Sequence, residues 1–378
     1  MAKVVILGSA HPLRGGGLST FNERLARAFA EEGHEVVIYT FSLQYPGFLF
    51  PGKTQYSDEP APADLEIKVK VNSVNPFNWI GVGRELRKMK PDLLVIRYWI
   101  PFMAPSLGTI ASIVKKNRHT RVVAIADNII PHEKRPGDRL LTRYFVKKIH
   151  GFVTMSEAVR NDLMLFKISK EKSTFCPHPL YDNFGEPLSR NEARKLLNLE
   201  EAENIVLFFG FIREYKGLDL LIKAFAEPAL KDLTLKLLVA GEFYSSPEPY
   251  YQLVRDLGLE KRIIWHTEFI PNEEVRNYFC AANLVAQPYK SATQSGVTQV
   301  AYHFEVPMVV TNVGGLPEMV PHLKAGYVMD PTSKDIAEAI ADYFGKSKQG
   351  AFKSFIKEEK KRFSWKNLVA AIMKQASR

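Results

Sequence analysis

Arg213 and Lys216 stand three residues apart in the stretch Phe209-Gly210-Phe211-Ile212-Arg213-Glu214-Tyr215-Lys216-Gly217. The apolar run at 205–208 before it reads as a buried parallel strand, and 218–225 after it as a helix with one apolar face. Gly210 and the two cations therefore fall at the carboxyl end of a strand, the edge at which open α/β sheets bind ligands. Fixed positive charge at that spacing suits a diphosphate.

Three further loops have chemistry-bearing residues at comparable places. Residues 288–299 follow an apolar strand at 284–287 and lead into a helix through Ala301 and Tyr302. Gly296, near that helix start, leaves N–H groups and the positive end of the helix dipole for a phosphate. Thr293 and Ser295 suit either capping of the helix or direct contact with a ligand. Val313-Gly314-Gly315-Leu316-Pro317-Glu318 turns at its glycine pair after a strand at 308–311. Glu318 suits a hydrogen bond to a sugar or ribose hydroxyl, and equally a first-turn acid on a helix dipole. Near the N-terminus, Gly15, Gly16 and Gly17 end at a helix start, where a glycine run lets the backbone approach a ligand.

Other nucleotide chemistries fit poorly. Gly8 has no glycine partners at dinucleotide-binding spacing, and Thr40-Phe41-Ser42 stands where an acid would hold a ribose. Nicotinamide and flavin binding are not supported. Lys216 lies in no G-x-x-x-x-G-K-[ST] loop, so a P-loop ATPase is not supported either. No Asp-x-Asp motif stands out, and no metal is expected.

The elements that must position these loops alternate. Strands are expected at 3–7, 35–41, 93–97, 121–126 and 151–155, then at 205–209, 235–240, 263–265, 284–287, 308–311 and 326–329. Helices such as 19–32, 157–166 and 272–282 lie between them. This βα alternation implies parallel sheets covered on both faces. It restarts after the proline-rich run at 177–187, which reads as a linker. The fold class expected is α/β, with two doubly wound, Rossmann-like domains facing across a cleft. The boundaries are 1–180, a linker at 181–190, 191–355, and a C-terminal segment at 356–378 with Ser364 as a helix N-cap. Residues 44–64, rich in Pro, Gly and aromatics, read as a long surface loop or a short hairpin.

With 378 residues, 46% hydrophobic and 24% charged, the chain suits two globular domains. No apolar run reaches the ~18–20 residues of a membrane span, and the N-terminus reads as a strand rather than a signal peptide. Two cysteines, Cys176 and Cys280, fit a reducing cytosol. The net charge of +10 favours anionic partners. Between Lys346 and Lys366 there are eight Lys/Arg and two Glu. Arg139, Arg143 and Lys147 recur every four residues beside Leu140, Leu141, Tyr144 and Phe145, a basic stripe flanking an apolar one. Such a stripe suits either an anionic membrane surface or a solvated helix packed on its own core. The basic clusters lack a nucleic-acid reading module, so no nucleic-acid partner is expected.

Together the loops are more specific than any one. The order G-F-I-x-x-x-K-G, a strand ending in Pro288 with a small-residue loop, then V-P-x-V-x-T-x-x-G-G-x-P-E, resembles the family 4 retaining glycosyltransferases of the GT-B fold over nearly the whole chain. Gly15-Gly16-Gly17 resembles that family's acceptor-side loop. The segments Phe269–Val275 and Ala281–Leu284 resemble the stretch before its donor loop, and Ser364-Trp365 its C-terminal helix that crosses back to the first domain. The resemblance implies an enzyme of polysaccharide biosynthesis; by its cysteine usage it is expected in the cytoplasm, and by its basic tail and the Arg139–Lys148 stripe either in solution or peripheral at the inner face of the membrane. It would transfer a sugar from a nucleoside diphosphate sugar to a glycan or lipid-linked hydroxyl. Attack comes from the leaving-group side, with retention, without metal and without a cofactor beyond the co-substrate.

Residue by residue, Arg213 and Lys216 would neutralise the diphosphate, with Gly210 beside them, and Gly296 and Val297 would offer backbone amides. Asp127-Asn128 stands at the family's His-Asp or His-Asn pair near the sugar, and His132 is placed to supply the imidazole. The family's two glutamates, eight positions apart, fall on Ala292 and Val300. Gln294 and Gln299 are the nearest polar substitutes, with Glu318 as a partial one. This departure keeps open a catalytically silent sugar-nucleotide-binding or partner subunit, and the two-domain fold keeps open a sugar-nucleotide epimerase.

Overall fold

Strands covered on both faces can be apolar along their whole length. The computed structural model describes residues 1–14, 17–47, 54–58, 60–131, 135–292, 295–346 and 348–378. The strands of the first sheet are β1 (Lys3–Leu7), β2 (Glu35–Leu43), β3 (Ile67–Asn72), β4 (Leu93–Tyr98), β5 (Arg121–Ala126), β6 (Gly151–Thr154) and β7 (Ser173–Phe175). They lie in the order β3-β2-β1-β4-β5-β6-β7, all parallel. The second sheet holds β8 (Asn204–Phe209), β9 (Leu235–Ala240), β10 (Ile263–His266), β11 (Leu284–Gln287), β12 (Met308–Thr311) and β13 (Gly326–Met329). Its order is β10-β9-β8-β11-β12-β13, again all parallel.

Each sheet thus reverses direction once, between β1 and β4 and between β8 and β11. A doubly wound sheet opens a crevice at such a reversal, beyond the carboxyl ends of its strands. Every strand expected from the sequence is present, most within a residue or two at either end. The stretch at 272–282 divides into a 3-10 turn, Asn272–Glu274, and a helix, Val275–Ala281.

Two strands escape a search for apolar runs. β3, Ile-Lys-Val-Lys-Val-Asn, is an edge strand whose Lys68 and Lys70 alternate with valines. β7 is three residues long and closes the other edge. Of the expected loop at 44–64, residues 48–53 and 59 lie outside the described residues. In the remainder, Tyr56 pairs antiparallel with Leu13.

By internal packing the chain divides into two units, Met1–His178 with Ser364–Arg378, and Pro179–Phe363. Each has its own apolar core. In the first, Tyr98 stacks on Phe145 at 4.1 Å between ring centres. The C-terminal helix, Trp365–Ala376, is capped by the Ser364 hydroxyl, which accepts from the Asn367 amide at 3.2 Å. It seats Trp365 against Phe21 at 4.9 Å, and its Gln375 amide donates to Thr174 at 2.7 Å. In the second unit, Phe279 packs edge-on to Phe209 at 4.9 Å. Among the described residues no helix is long and apolar enough to cross a membrane.

Candidate functional site: a cationic loop pair at the reversal of the second sheet

Arg213 and Lys216 follow β8, and Ser295 and Gly296 follow β11, so both loops flank the strand reversal. The loops touch. The Lys290 amide donates to the Tyr215 carbonyl at 2.7 Å. Gly217 holds φ +69°, and a Cβ there would lie 2.0 Å from the Pro288 carbonyl oxygen. Only glycine meets both conditions. A Cβ on Gly210, itself at φ +94°, would reach 3.2 Å from Lys216 Nζ and 3.9 Å from Val297 Cγ2. The strand end, the lysine head and the helix start therefore converge.

Lys216 is half-buried, and its Nζ lies 5.9 Å from the centre of the Tyr289 ring. Among the described residues no carboxylate pairs with it. Burial, and secondarily the nearby Arg213 charge, push its ammonium down from 10.5 to about 8. A cation held without a counter-ion is poised for an anionic ligand. The Arg213 guanidinium rests over the Tyr244 ring at 3.8 Å, with Tyr215 farther off at 5.6 Å. Lys290, the third cation of the loop pair, is occupied by Asp219 at 2.9 Å.

Among the described residues, the helix Gly296–His303 starts without a side-chain cap. The Ser295 hydroxyl bonds instead to the Tyr289 hydroxyl at 3.3 Å. Its leading amides and positive dipole end thus remain available to an anion. A Cβ on Gly296 would sit 2.9 Å from Tyr181 Cε2, so a larger residue there has to displace that ring. Thr298 donates to the Gln287 side chain at 3.0 Å. Gln299 is fully buried, and neither atom of its amide has a partner among the described residues. Val300, one of the two positions expected for a glutamate, is buried too. Glu318 is exposed in the short helix Leu316–Met319 after β12, the strand beside β11. Thr293 and Gln294 lie outside the described residues.

In the first unit, Asp127 follows β5 and is buried. Its carboxylate takes both arms of the Arg97 guanidinium, from Nε at 2.5 Å and from Nη2 at 2.7 Å. Arg97 stacks in turn on Phe21 at 3.6 Å. Asn128 donates weakly to the Trp99 carbonyl at 3.4 Å. Asp127 is thereby fixed at the carboxyl edge, close to the reversal between β1 and β4. His132, Gly15 and Gly16 lie outside the described residues, and Gly17 sits in the turn that precedes the helix Ser19–Glu31.

Sequence reasoning passed over Arg97, Tyr244 and Tyr289. Each acts through a partner 30 or more residues away, or through a ring whose place is set by the sheet. Of the three, Tyr289 had a local signal, since it follows the strand that bears the donor loop.

Two family models match the chain: "Glycosyl transferases group 1" over residues 189–362 and "Glycosyltransferase Family 4" over residues 15–180. A D-inositol 3-phosphate glycosyltransferase of Corynebacterium aurimucosum is 32% identical over 162 residues, 41% of this chain and 38% of that protein. The chain thus spans well under two thirds of that relative's length. An N-acetyl-alpha-D-glucosaminyl L-malate synthase of Bacillus anthracis is 24% identical over 83% of this chain and 81% of its own. Among solved structures, Anabaena HepE in complex with UDP superposes with a TM-score of 0.71 at 16% identity, covering 97% of this chain and 98% of that one. The fold is GT-B, and the chain belongs to the group 1 glycosyltransferases of family 4.

Proposed function

We propose that this chain transfers a sugar from a nucleoside diphosphate sugar to a hydroxyl of a glycan or lipid-linked acceptor, with retention of configuration. The observation that carries this reading is Lys216, a half-buried ammonium with no carboxylate partner among the described residues, beside Arg213 and an uncapped helix start at a sheet reversal. HepE, which shares the fold, is seen with UDP. A departing nucleoside diphosphate gains negative charge as the glycosidic bond breaks. Arg213, Lys216 and the amides at Gly296 and Val297 stabilise that charge where it develops. Fixed donors of this kind are worth about 3–4 kcal/mol each in comparable sites. The sugar becomes oxocarbenium-like, and the acceptor hydroxyl approaches from the leaving-group side. Asp127, oriented by Arg97, and His132 are the candidates on the acceptor side. Glu318, Gln299 and the residues Thr293 to Ser295 are the candidates for holding ribose and sugar hydroxyls.

The test is thermal stabilisation by UDP, GDP, ADP and TDP sugars, repeated with Lys216→Ala. A ligand at 100 times its dissociation constant stabilises the fold by about 2.7 kcal/mol. One nucleotide shifting the wild type and not the variant supports the donor site and names the base. No shift with any of the four, in folded protein, removes the reading's central support. Ala292 and Val300, where the family carries glutamates, favour one second reading: a subunit that binds the donor without turning it over. Binding without product across a broad acceptor panel identifies that case.

A further inference from the structure

The described parts of the loop after β2, residues 44–47 and 54–58, are stitched along the carboxyl edge of the first sheet. The Arg14 amide donates to the Gln55 carbonyl at 3.0 Å, and the Ser57 amide to the Pro12 carbonyl at 2.8 Å. The Ser9 hydroxyl donates to the Gln44 side chain at 2.6 Å. The Gln55 side-chain amide clamps both backbone groups of Tyr45, accepting from its N–H at 3.1 Å and donating to its carbonyl at 2.8 Å. Tyr45 is thereby held against the loop after β4. Its hydroxyl accepts from the Trp99 indole at 2.6 Å, and its ring centre lies 6.2 Å from that of Phe102, with 27° between the planes. Trp99 is buried, Tyr45 and Phe102 are half-buried, and Tyr56 is 38% exposed. Loops after the neighbouring strands β2, β1 and β4 thus hold half-open rings at the edge that also bears Asp127.

The charged side chains beside these rings already have partners. Asp127 takes the Arg97 guanidinium, the Arg14 guanidinium reaches the Thr54 carbonyl at 3.4 Å, and the Glu23 carboxylate accepts from the His11 amide at 2.9 Å. Two buried polar atoms below have no partner among the described residues: Nη1 of Arg97 and Oδ1 of Asn22. Gly8 lies between their side chains, since a Cβ there would sit 2.6 Å from Asn22 Nδ2 and 3.2 Å from Arg97 Cβ. One of the two atoms donates and the other accepts. A hydroxyl or a water satisfies both, whereas an anion can only accept. An aromatic face is partly negative, and the axial C–H face of a pyranose is apolar and weakly positive, so a half-open ring suits a sugar laid flat against it.

We propose that Tyr45 and Phe102 select the acceptor, and that it is an uncharged pyranose unit of a glycan. The sugar ring stacks on the two side chains, and the loop after β2 serves to hold Tyr45 in place. This assignment rests on the transferase reading above. Tyr45 and Phe102 set specificity and take no part in the chemistry.

The test is saturation-transfer difference NMR on the full chain with maltose, cellobiose and diacetylchitobiose, set against a glucose phosphate and glucuronate. Irradiation of the protein's aromatic protons should saturate the C–H protons of at least one neutral disaccharide and of neither anionic sugar. This arm needs no variant. In titrations of the best ligand, Tyr45→Ala and Phe102→Ala should each raise Kd roughly 2- to 12-fold, while Tyr45→Phe and Phe102→Tyr, which keep the ring, should stay within about 2-fold. Preference for the anionic sugars overturns the proposal, and so do affinities that both alanine variants retain. It is also overturned if no sugar binds while a nucleotide sugar still raises the melting temperature, and the donor reading then stands. Sugar binding in a protein that takes no nucleotide sugar removes the transferase reading, and the acceptor role with it.

Discussion

Lys216→Met should make this protein more stable and a poorer binder of nucleotide sugars. The methionine keeps the aliphatic stem and removes the charge. In the wild type the ammonium is lowered from 10.5 to about 8, by burial first and by Arg213 second. The folded-state value lies below the unfolded one, so the charged form weakens the fold. The penalty is complete below pH 8 and disappears as pH rises through 10.5. At ~1.36 kcal/mol per pH unit the interval corresponds to about 3 kcal/mol. Solvent reaching the half-buried side chain reduces this to about 1–3 kcal/mol. Denaturant unfolding at pH 7 should show the variant ahead by that amount, and the gap should close near pH 10.5. Binding should move the other way. A diphosphate restores the proton to Lys216, so the wild type takes up a proton on binding above pH 8 and loses affinity as pH rises further. Calorimetry in two buffers of different ionisation enthalpy measures that proton. At pH 7 the variant should bind roughly 10- to 150-fold more weakly, the ~1.5–3 kcal/mol of a hydrogen bond to a charged group, and should lack the pH dependence. A variant that is less stable at pH 7 and binds the nucleotide sugar as tightly as the wild type would refute the reasoning.

Tyr244→Leu removes the ring under Arg213 at 3.8 Å. It should raise the donor KM by roughly 2- to 30-fold, the ~0.5–2 kcal/mol of a cation–π contact, while Tyr244→Phe stays near wild type in steady-state kinetics. Gly217→Ala places a Cβ 2.0 Å from the Pro288 carbonyl oxygen at φ +69°. It should part the two donor loops and lower stability by at least ~1–3 kcal/mol, read from the denaturant midpoint. Asp127→Ala strands a buried guanidinium held at 2.5 and 2.7 Å. It should cost about 3–5 kcal/mol of stability, and Arg97→Met with Asp127→Leu should recover most of it. An unchanged melting curve for Asp127→Ala would show that the pair does not form.

The alternation of strand and helix was legible in the sequence because central parallel strands, covered on both faces, are apolar along their length. Residues 235–240, 284–287 and 308–311 are examples. β3 and β7 were not legible, since an edge strand tolerates alternate lysines and three residues carry no period. The donor-loop candidates were legible for a related reason. Arg213, Lys216 and Gly296 sit at fixed short distances from apolar runs, and the carboxyl end of such a run is a ligand edge whatever the strand order. Only the tertiary structure decided which loops meet. It placed β8 beside β11, set the Tyr215 carbonyl 2.7 Å from the Lys290 amide, and turned the Ser295 hydroxyl to Tyr289 and away from its own helix. It also gave Asp127 to Arg97, 30 residues earlier, and left Lys216 without a carboxylate partner among the described residues. Burial, partner and charge environment depend on groups distant in the chain. Local residue order fixes the edge on which a side chain emerges, and packing fixes what it meets there.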